Sequence, residues 1–199
     1  NVFLLDSIQI KSSQITDKDF SQLIKYNTIS VKPNGGGDYT KISDAINSIT
    51  DSSFYNRYII NFYGDGNEYN TLNDTPFVQG QKGITVPPFT KLVGIGGKDK
   101  CILVRRLTTA DDNDSLLNLY ATSELEGFTL ISANTRYVVH DDFYRSDEIN
   151  LVEYERVIKN IICIAEGELN RYILWGAGFR SGCKWLFENC IFKSTSRNS

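Results

Sequence analysis

One short segment of the sequence brings together residue types that act as acids, bases and anion ligands. His140, the only histidine, is followed by Asp141 and Asp142 and preceded four residues earlier by Arg136. An imidazole exchanges protons near neutral pH, and an arginine binds a sugar acid or a phosphate. We therefore take His140, Asp141 and Asp142 as candidate catalytic residues, and Arg136 and His140 as candidate ligand-binding residues. The alternative is a strand that ends in a solvated acidic turn.

Alternation along an extended strand predicts which of these side chains lie together. Arg136 and His140 are expected on one side of the strand, and Tyr137 and Asp141 on the other. If the second pair faces the interior, Arg136 and His140 face solvent together.

Aromatic residues near these positions are candidates for contact with sugar rings. Tyr137 and Tyr172 each follow an arginine, while Trp175 and Trp185 flank a glycine-rich turn. We include Tyr137, Tyr172 and Trp175 among the predicted ligand-binding residues. The same side chains could instead fill a core.

The remaining acidic and thiol groups do not form a recognisable site. Asp111, Asp112 and Asp114 lack the spacing of a calcium loop, and adjacent loop carboxylates rarely oppose each other across a glycosidic bond. We predict that they are solvated loop charges. The four cysteines have no C-x-x-C spacing, and there is a single histidine. We therefore predict no metal site and no cofactor.

Composition limits the class of protein. A net charge of -3, with no stripe rich in lysine or arginine, argues against a nucleic-acid binder. No apolar run approaches the ~18 residues of a membrane span, so we predict no membrane insertion. Aromatic residues make up 12% of the chain, which favours strands. The sequence contains no methionine, and we expect it to be a fragment of a longer chain.

A loose repeat indicates how these residues are positioned. Glycine or asparagine recurs between apolar residues at Gly94, Gly127, Asn160 and Asn189, at spacings of 33, 33 and 29 residues. Both residue types adopt the left-handed backbone conformation at low cost, and such periods are typical of solenoids. The pattern predicts an all-β, right-handed parallel β-helix; a β-sandwich is the alternative.

The strand that follows each repeat position alternates between apolar and polar residues. This alternation predicts that Phe128, Leu130, Ile161 and Cys163 face the interior.

A short helix is predicted to cap the solenoid. Ile42, Ala45, Ile46 and Ile49 have helical spacing, and Thr40 is the predicted N-cap. We divide the chain into a lead-in segment over residues 1–30 and a parallel β-helix domain over residues 31–199.

Three segments resemble the opening of the pectin methylesterase and pectate lyase-like β-helix superfamily. They are GGGDYTKISDAINSI (residues 35–49), NRYIINFYGDGNEYN (residues 56–70) and ITVPPFTKLVGIGGKDKCILV (residues 84–104). The resemblance implies a pectin-lyase-like fold. It carries over no catalytic residue, because the Q-A-L, Q-D and G-x-x-D-F-I-F-G segments of the methylesterases are missing. Pectin methylesterase activity is therefore not expected.

The later part resembles pectin-lyase-like domains of bacteriophage tail proteins. The segments are LEGFTLISANTRYVVHDDF (residues 125–143) and FENCIF (residues 187–192). This resemblance implies a viral protein of the tail, baseplate or an appendage, often a homotrimer, that contacts other virion structural proteins. It would act extracellularly, at the bacterial surface.

Three functions remain open at this point. The first is host recognition through carbohydrate binding, with bacterial surface polysaccharide as the partner. The second is a polysaccharide lyase or glycoside hydrolase on the same β-helix. The third is a structural spacer that binds nothing.

Overall fold

The fold is described for residues 2–5, 8–11, 23–74, 83–120, 122–143, 155–166, 175–179 and 184–194 of a computed structural model. Nearly all of this part is β-structure, with parallel strands stacked as a β-solenoid of about 4 turns and very little helix. The prediction of an all-β parallel β-helix is confirmed. No helix in these ranges is long and apolar enough to cross a membrane.

In the described ranges the named elements are strands, one α-helix and a 3-10 turn. In chain order they are β1 (Val2–Leu5), β2 (Ile8–Lys11), β3 (Lys25–Val31), α1 (Ile42–Asn47), β4 (Asn56–Tyr63), β5 (Glu68–Asn70), a 3-10 turn (Thr71–Asn73), β6 (Ile84–Val86), β7 (Thr90–Ile95), β8 (Ile102–Tyr120), β9 (Glu124–Glu126), β10 (Thr129–Phe143), β11 (Glu155–Lys159), β12 (Ile162–Glu166), β13 (Trp175–Phe179), β14 (Lys184–Glu188) and β15 (Ile191–Ser194).

Strands from successive turns pair in parallel to form three faces. The first face stacks β3, β4, β7, β9, β11 and β14 in that order. The second face contains β5, the first part of β8, the first part of β10, β12 and β15. The third face contains β6, the second part of β8 (residues 111–120), the second part of β10 (residues 135–143) and β13. The antiparallel pair of β1 and β2 forms a separate sheet.

The predicted lead-in partly overlaps the solenoid, because β3 is the edge strand of the first face. Most of residues 1–22 lie outside the described part, so the division at residue 30 stays a prediction.

The inner residues of neighbouring turns pack on one another. Phe128, Leu130, Ile161 and Cys163 are fully buried in one apolar cluster. Their inward direction, predicted from alternation, is confirmed. Burial of apolar area at about 25 cal/mol per Å² is the main force that holds the turns together.

One corner of the solenoid uses residues in the left-handed backbone region. Gly127, Asn160 and Asn189 have φ angles of 81°, 54° and 54°. The Asn189 side-chain amide donates a hydrogen bond of 2.8 Å to Oδ1 of Asn160, so neighbouring corners are joined through side chains as well. The predicted ladder is confirmed at these three positions.

The prediction is wrong at Gly94, which lies within β7 and has no positive φ. A Cβ atom at Gly94 would collide with the carbonyl oxygen of Gly127 and would lie 2.8 Å from Cβ of Cys101. Gly94 is therefore required for close packing, and the positive φ angles of this turn occur at Gly96 and Gly97.

Helix α1 packs against the core beside β3, β4 and β6. Its apolar residues Ile42, Ala45 and Ile46, together with Ile49 just beyond it, are buried in the same cluster. The predicted capping helix is confirmed.

The start of the helix differs from the prediction. The N-cap is Lys41 rather than Thr40, and its side chain makes no capping hydrogen bond. Asp74 takes that role from the 3-10 turn, because its Oδ1 accepts from the Ser43 amide at 2.9 Å. The Tyr69 hydroxyl accepts from the Ile42 amide at 3.2 Å and donates to Asp74 at 3.1 Å. A residue over thirty positions away therefore caps the helix.

The corner ladder can be tested at Asn160. Alanine adopts the left-handed backbone region less readily than asparagine does. We therefore expect Asn160→Ala to lower the free energy of unfolding by about 1–2 kcal/mol. Asn160→Gly keeps the backbone conformation and should cost less. Urea unfolding measures both. Equal losses for the two variants would contradict a role for backbone conformation at this corner.

Candidate functional site

Three of the predicted ligand-binding residues meet on the second part of β10. The rings of Tyr137 and His140 are stacked, with centroids 4.2 Å apart and planes inclined by 10°. The Arg136 guanidinium lies over the Tyr137 ring, 5.0 Å from its centroid. We call Arg136, Tyr137 and His140 the stacked cluster. It presents a cation, a phenol and an imidazole within one short segment.

Strict alternation does not hold in this segment, since Tyr137 lies on the same side as His140. The pairing of β10 with β8 shifts register between Thr135 and Tyr137, which marks a bulge or irregularity. Such irregularities redirect side chains and cluster near functional sites. The predicted opposition of Tyr137 and His140 is therefore wrong, because alternation is broken between them: the consecutive residues Val138 and Val139 are both fully buried.

Gly178 on the neighbouring strand β13 makes room for the stack. It pairs with His140, and a Cβ atom at this position would lie 2.5 Å from Cε1 of Tyr137. Any larger residue at position 178 would have to displace the Tyr137 ring. Gly178 therefore leaves the space that the Tyr137 ring occupies.

Exposure separates the candidate residues. Arg136 is exposed, and Tyr137 and His140 are half-buried, so the edges of the stacked cluster reach solvent. Asp141 is only 1% exposed, and its carboxylate lies in the interior. The side chains of Asp142 and Trp175, and all of Tyr172, lie outside the described residues. Their proposed roles stay predictions, although the backbone of Trp175 pairs with Tyr137.

One acidic residue that was predicted to be solvated is buried instead. Asp114 is 2% exposed and binds Arg105 through two hydrogen bonds, from Nε at 2.6 Å and from Nη2 at 2.8 Å. Arg105 also donates from Nη1 to the Thr71 carbonyl at 3.3 Å. This bidentate pair joins the two ends of the irregular part of β8 over residues 107–113. Sequence spacing gave no sign of it, because Arg105 and Asp114 meet only once β8 is folded.

A second ion cluster joins β5, β8 and β12 on the outside of the second face, bridging over β10. Arg106 donates from Nη1 to Glu68 at 2.6 Å and from Nε to Glu166 at 3.0 Å. The Arg106 hydrogen bond lowers the pKa of Glu68, and both carboxylates raise the pKa of Arg106. A general acid needs a raised pKa, so Glu68 is poorly suited to that role at neutral pH.

Metal-binding groups do not converge in the described ranges, where no three His, Cys, Asp or Glu side chains lie close enough to hold an ion. Cys101 and Cys163 are buried free thiols, and burial raises the pKa of each. They are unreactive core residues.

Comparison with known proteins finds no match. No protein-family model, no curated protein and no solved structure matches this chain. The fold itself is a parallel β-solenoid, consistent with a β-helix superfamily.

The stack can be tested through the single histidine, because its ring protons give isolated NMR signals. A ring stacked on Tyr137 at 4.2 Å experiences that ring's current. We expect Tyr137→Leu to shift the His140 signals downfield, and Gly178→Ala to shift them in the same direction by displacing the Tyr137 ring.

Tyr63→Leu is the matched control, since Tyr63 is a half-exposed tyrosine on the first face. It should leave the His140 signals in place. Unchanged signals in Tyr137→Leu would show that the two rings are not stacked.

Proposed function

We propose that this chain is a carbohydrate-binding segment of a bacteriophage tail, baseplate or appendage protein. In this proposal it attaches to bacterial surface polysaccharide through the stacked cluster. The parent protein is part of a virion, assembles with other virion structural proteins as a homotrimer, and acts outside the host cell.

One observation carries the binding part of the proposal, namely the exposed Arg136 held over the Tyr137 ring. The stacking orients the guanidinium, so less side-chain entropy is lost when a ligand binds. Its planar N–H edge matches a carboxylate, which it can bind through two parallel hydrogen bonds. The His140 imidazole and the Tyr137 hydroxyl are within the same cluster and can bond to ring hydroxyls. The ligand that fits best is a sugar acid within a polysaccharide.

The setting in a virion rests on the resemblance of residues 125–143 and 187–192 to phage tail domains, and the solenoid is consistent with it. Parallel β-helices stack turns into a rod whose flanks offer extended surfaces. Such a rod suits an appendage that must reach a cell surface and contact a long glycan there.

The enzymatic alternative gains no support from four carboxylates of the second and third faces. A glycoside hydrolase needs two carboxyl groups on opposite sides of the scissile bond. Asp141 and Asp114 are buried, and Glu68 and Glu166 are both bound to Arg106. The spacer alternative is disfavoured by the stacked cluster, which a surface without a ligand does not require.

Binding of the protein to hexuronate-containing oligosaccharides, measured by calorimetry, tests this proposal. Arg136→Gln should weaken binding about tenfold or more, because a hydrogen-bonded charge pair is lost. Arg136→Lys keeps the charge but loses the two parallel N–H donors of the guanidinium, so we expect it to recover only part of the affinity.

Lys100→Gln removes an exposed cation elsewhere on the surface and serves as the control. It should bind as the unmodified protein does. Equal affinity of Arg136→Gln and Lys100→Gln for every acidic glycan would contradict the proposal.

A further inference from the structure

A groove of ≈ 270 Å³ lies on the outside of the first face, away from the stacked cluster. It crosses β3, β4, β7 and the start of β9. Its walls include Tyr26, Arg57, Ile59, Lys91 and Glu124. Parallel strands are about 4.8 Å apart, so an occupant of the groove would run across successive turns of the solenoid.

The aromatic side of the groove is open and held in place. Tyr26 is 57% exposed, which leaves much of its ring available to a ligand. Arg57 lies over the Phe54 ring at 4.9 Å and donates from Nε to the Phe54 carbonyl at 3.1 Å. The Tyr58 hydroxyl donates to Asp51 at 2.6 Å. These contacts orient the Arg57 and Tyr58 side chains before any ligand binds.

The charges of the groove are mixed in sign. Lys91 forms an ion pair of 2.6 Å with Glu126, although Glu124 lies directly opposite it on β9. Arg57 and Glu124 add one positive and one negative group to the lining. An anion such as a phosphate would meet Glu124, and an acyl chain would have to desolvate these charges. A ligand with many hydroxyl groups and no net charge can accept hydrogen bonds from the positive groups and donate them to the negative ones.

From this lining we infer that the groove is a subsite for a neutral sugar unit of a polysaccharide. The Tyr26 ring packs against the sugar ring, Glu124 accepts hydrogen bonds from its hydroxyls, and Arg57 and Lys91 donate to them. Small-ligand sites combine apolar surface with a few placed polar groups in this way. The inference rests on the proposed function in that the same polysaccharide would supply both the neutral and the acidic units.

The two sites lie on different faces of the solenoid and can be tested separately. Saturation-transfer NMR with linear trisaccharides of glucose, galactose and mannose detects the groove, and hexuronate trisaccharides detect the stacked cluster. We expect at least one neutral trisaccharide to bind. Tyr26→Ala should lower its affinity about tenfold, while hexuronate binding stays unchanged.

Tyr63→Ala is the matched control, because Tyr63 is 39% exposed on the same face but does not line the groove. It should bind neutral sugars normally. Glu124→Gln provides a second test, since it removes the charged acceptor, and it should also weaken neutral-sugar binding. Urea unfolding confirms that each variant is folded.

The outcomes distinguish the two proposals. Loss of neutral-sugar binding in Tyr26→Ala, but not in Tyr63→Ala, supports the groove even if no hexuronate binds. Failure of all three neutral trisaccharides to bind, or binding that Tyr26→Ala and Glu124→Gln leave unchanged, overturns the groove as a sugar subsite. Hexuronate binding that depends on Arg136 would then still support the stacked cluster.

Discussion

The structure depends on the backbone hydrogen bonds that join each turn of the solenoid to the next at one corner. The Gly127 amide donates to the Lys159 carbonyl at 3.0 Å, and the Asn160 amide donates to the Glu188 carbonyl at 2.9 Å. Gly127, Asn160 and Asn189 adopt the left-handed conformation at the same corner. Because one strand ends and the next begins at this corner in each of these turns, the inner side chains of neighbouring turns stack in register.

The strands stay in register at this corner, but the pairing of β8 with β10 shifts register further along the two strands. Arg106 has Ala133 as its partner and Ser115 has Tyr137, so β8 spans more residues than β10 between these points. The buried pair of Arg105 and Asp114 joins the two ends of this extra length of β8, at a desolvation cost offset by two hydrogen bonds. The same irregular region directly precedes Tyr137 on β10. The candidate site therefore lies where the regular stacking is interrupted.

Local patterns predicted much of the fold but less of the site. Alternation and the corner spacing are repeated properties, so they identified the inner residues and three of four corner positions. Contacts between distant residues have no such signature in one sequence. The capping of α1 by Asp74, the close approach of Gly94 to Gly127, and the burial of Asp114 belong to this class. The side of Tyr137 was mispredicted because Val138 and Val139 are both buried, and this break in alternation has no signal in the sequence pattern.

We propose that the solenoid binds bacterial surface polysaccharide without cleaving it. Gel filtration of purified wall and capsule polysaccharides, before and after incubation with the protein, tests this claim most directly. The account predicts that intact glycan of unchanged size co-elutes with the protein. A shift of the glycan to smaller sizes would contradict it in favour of an enzyme, and the separate elution of every glycan would contradict attachment.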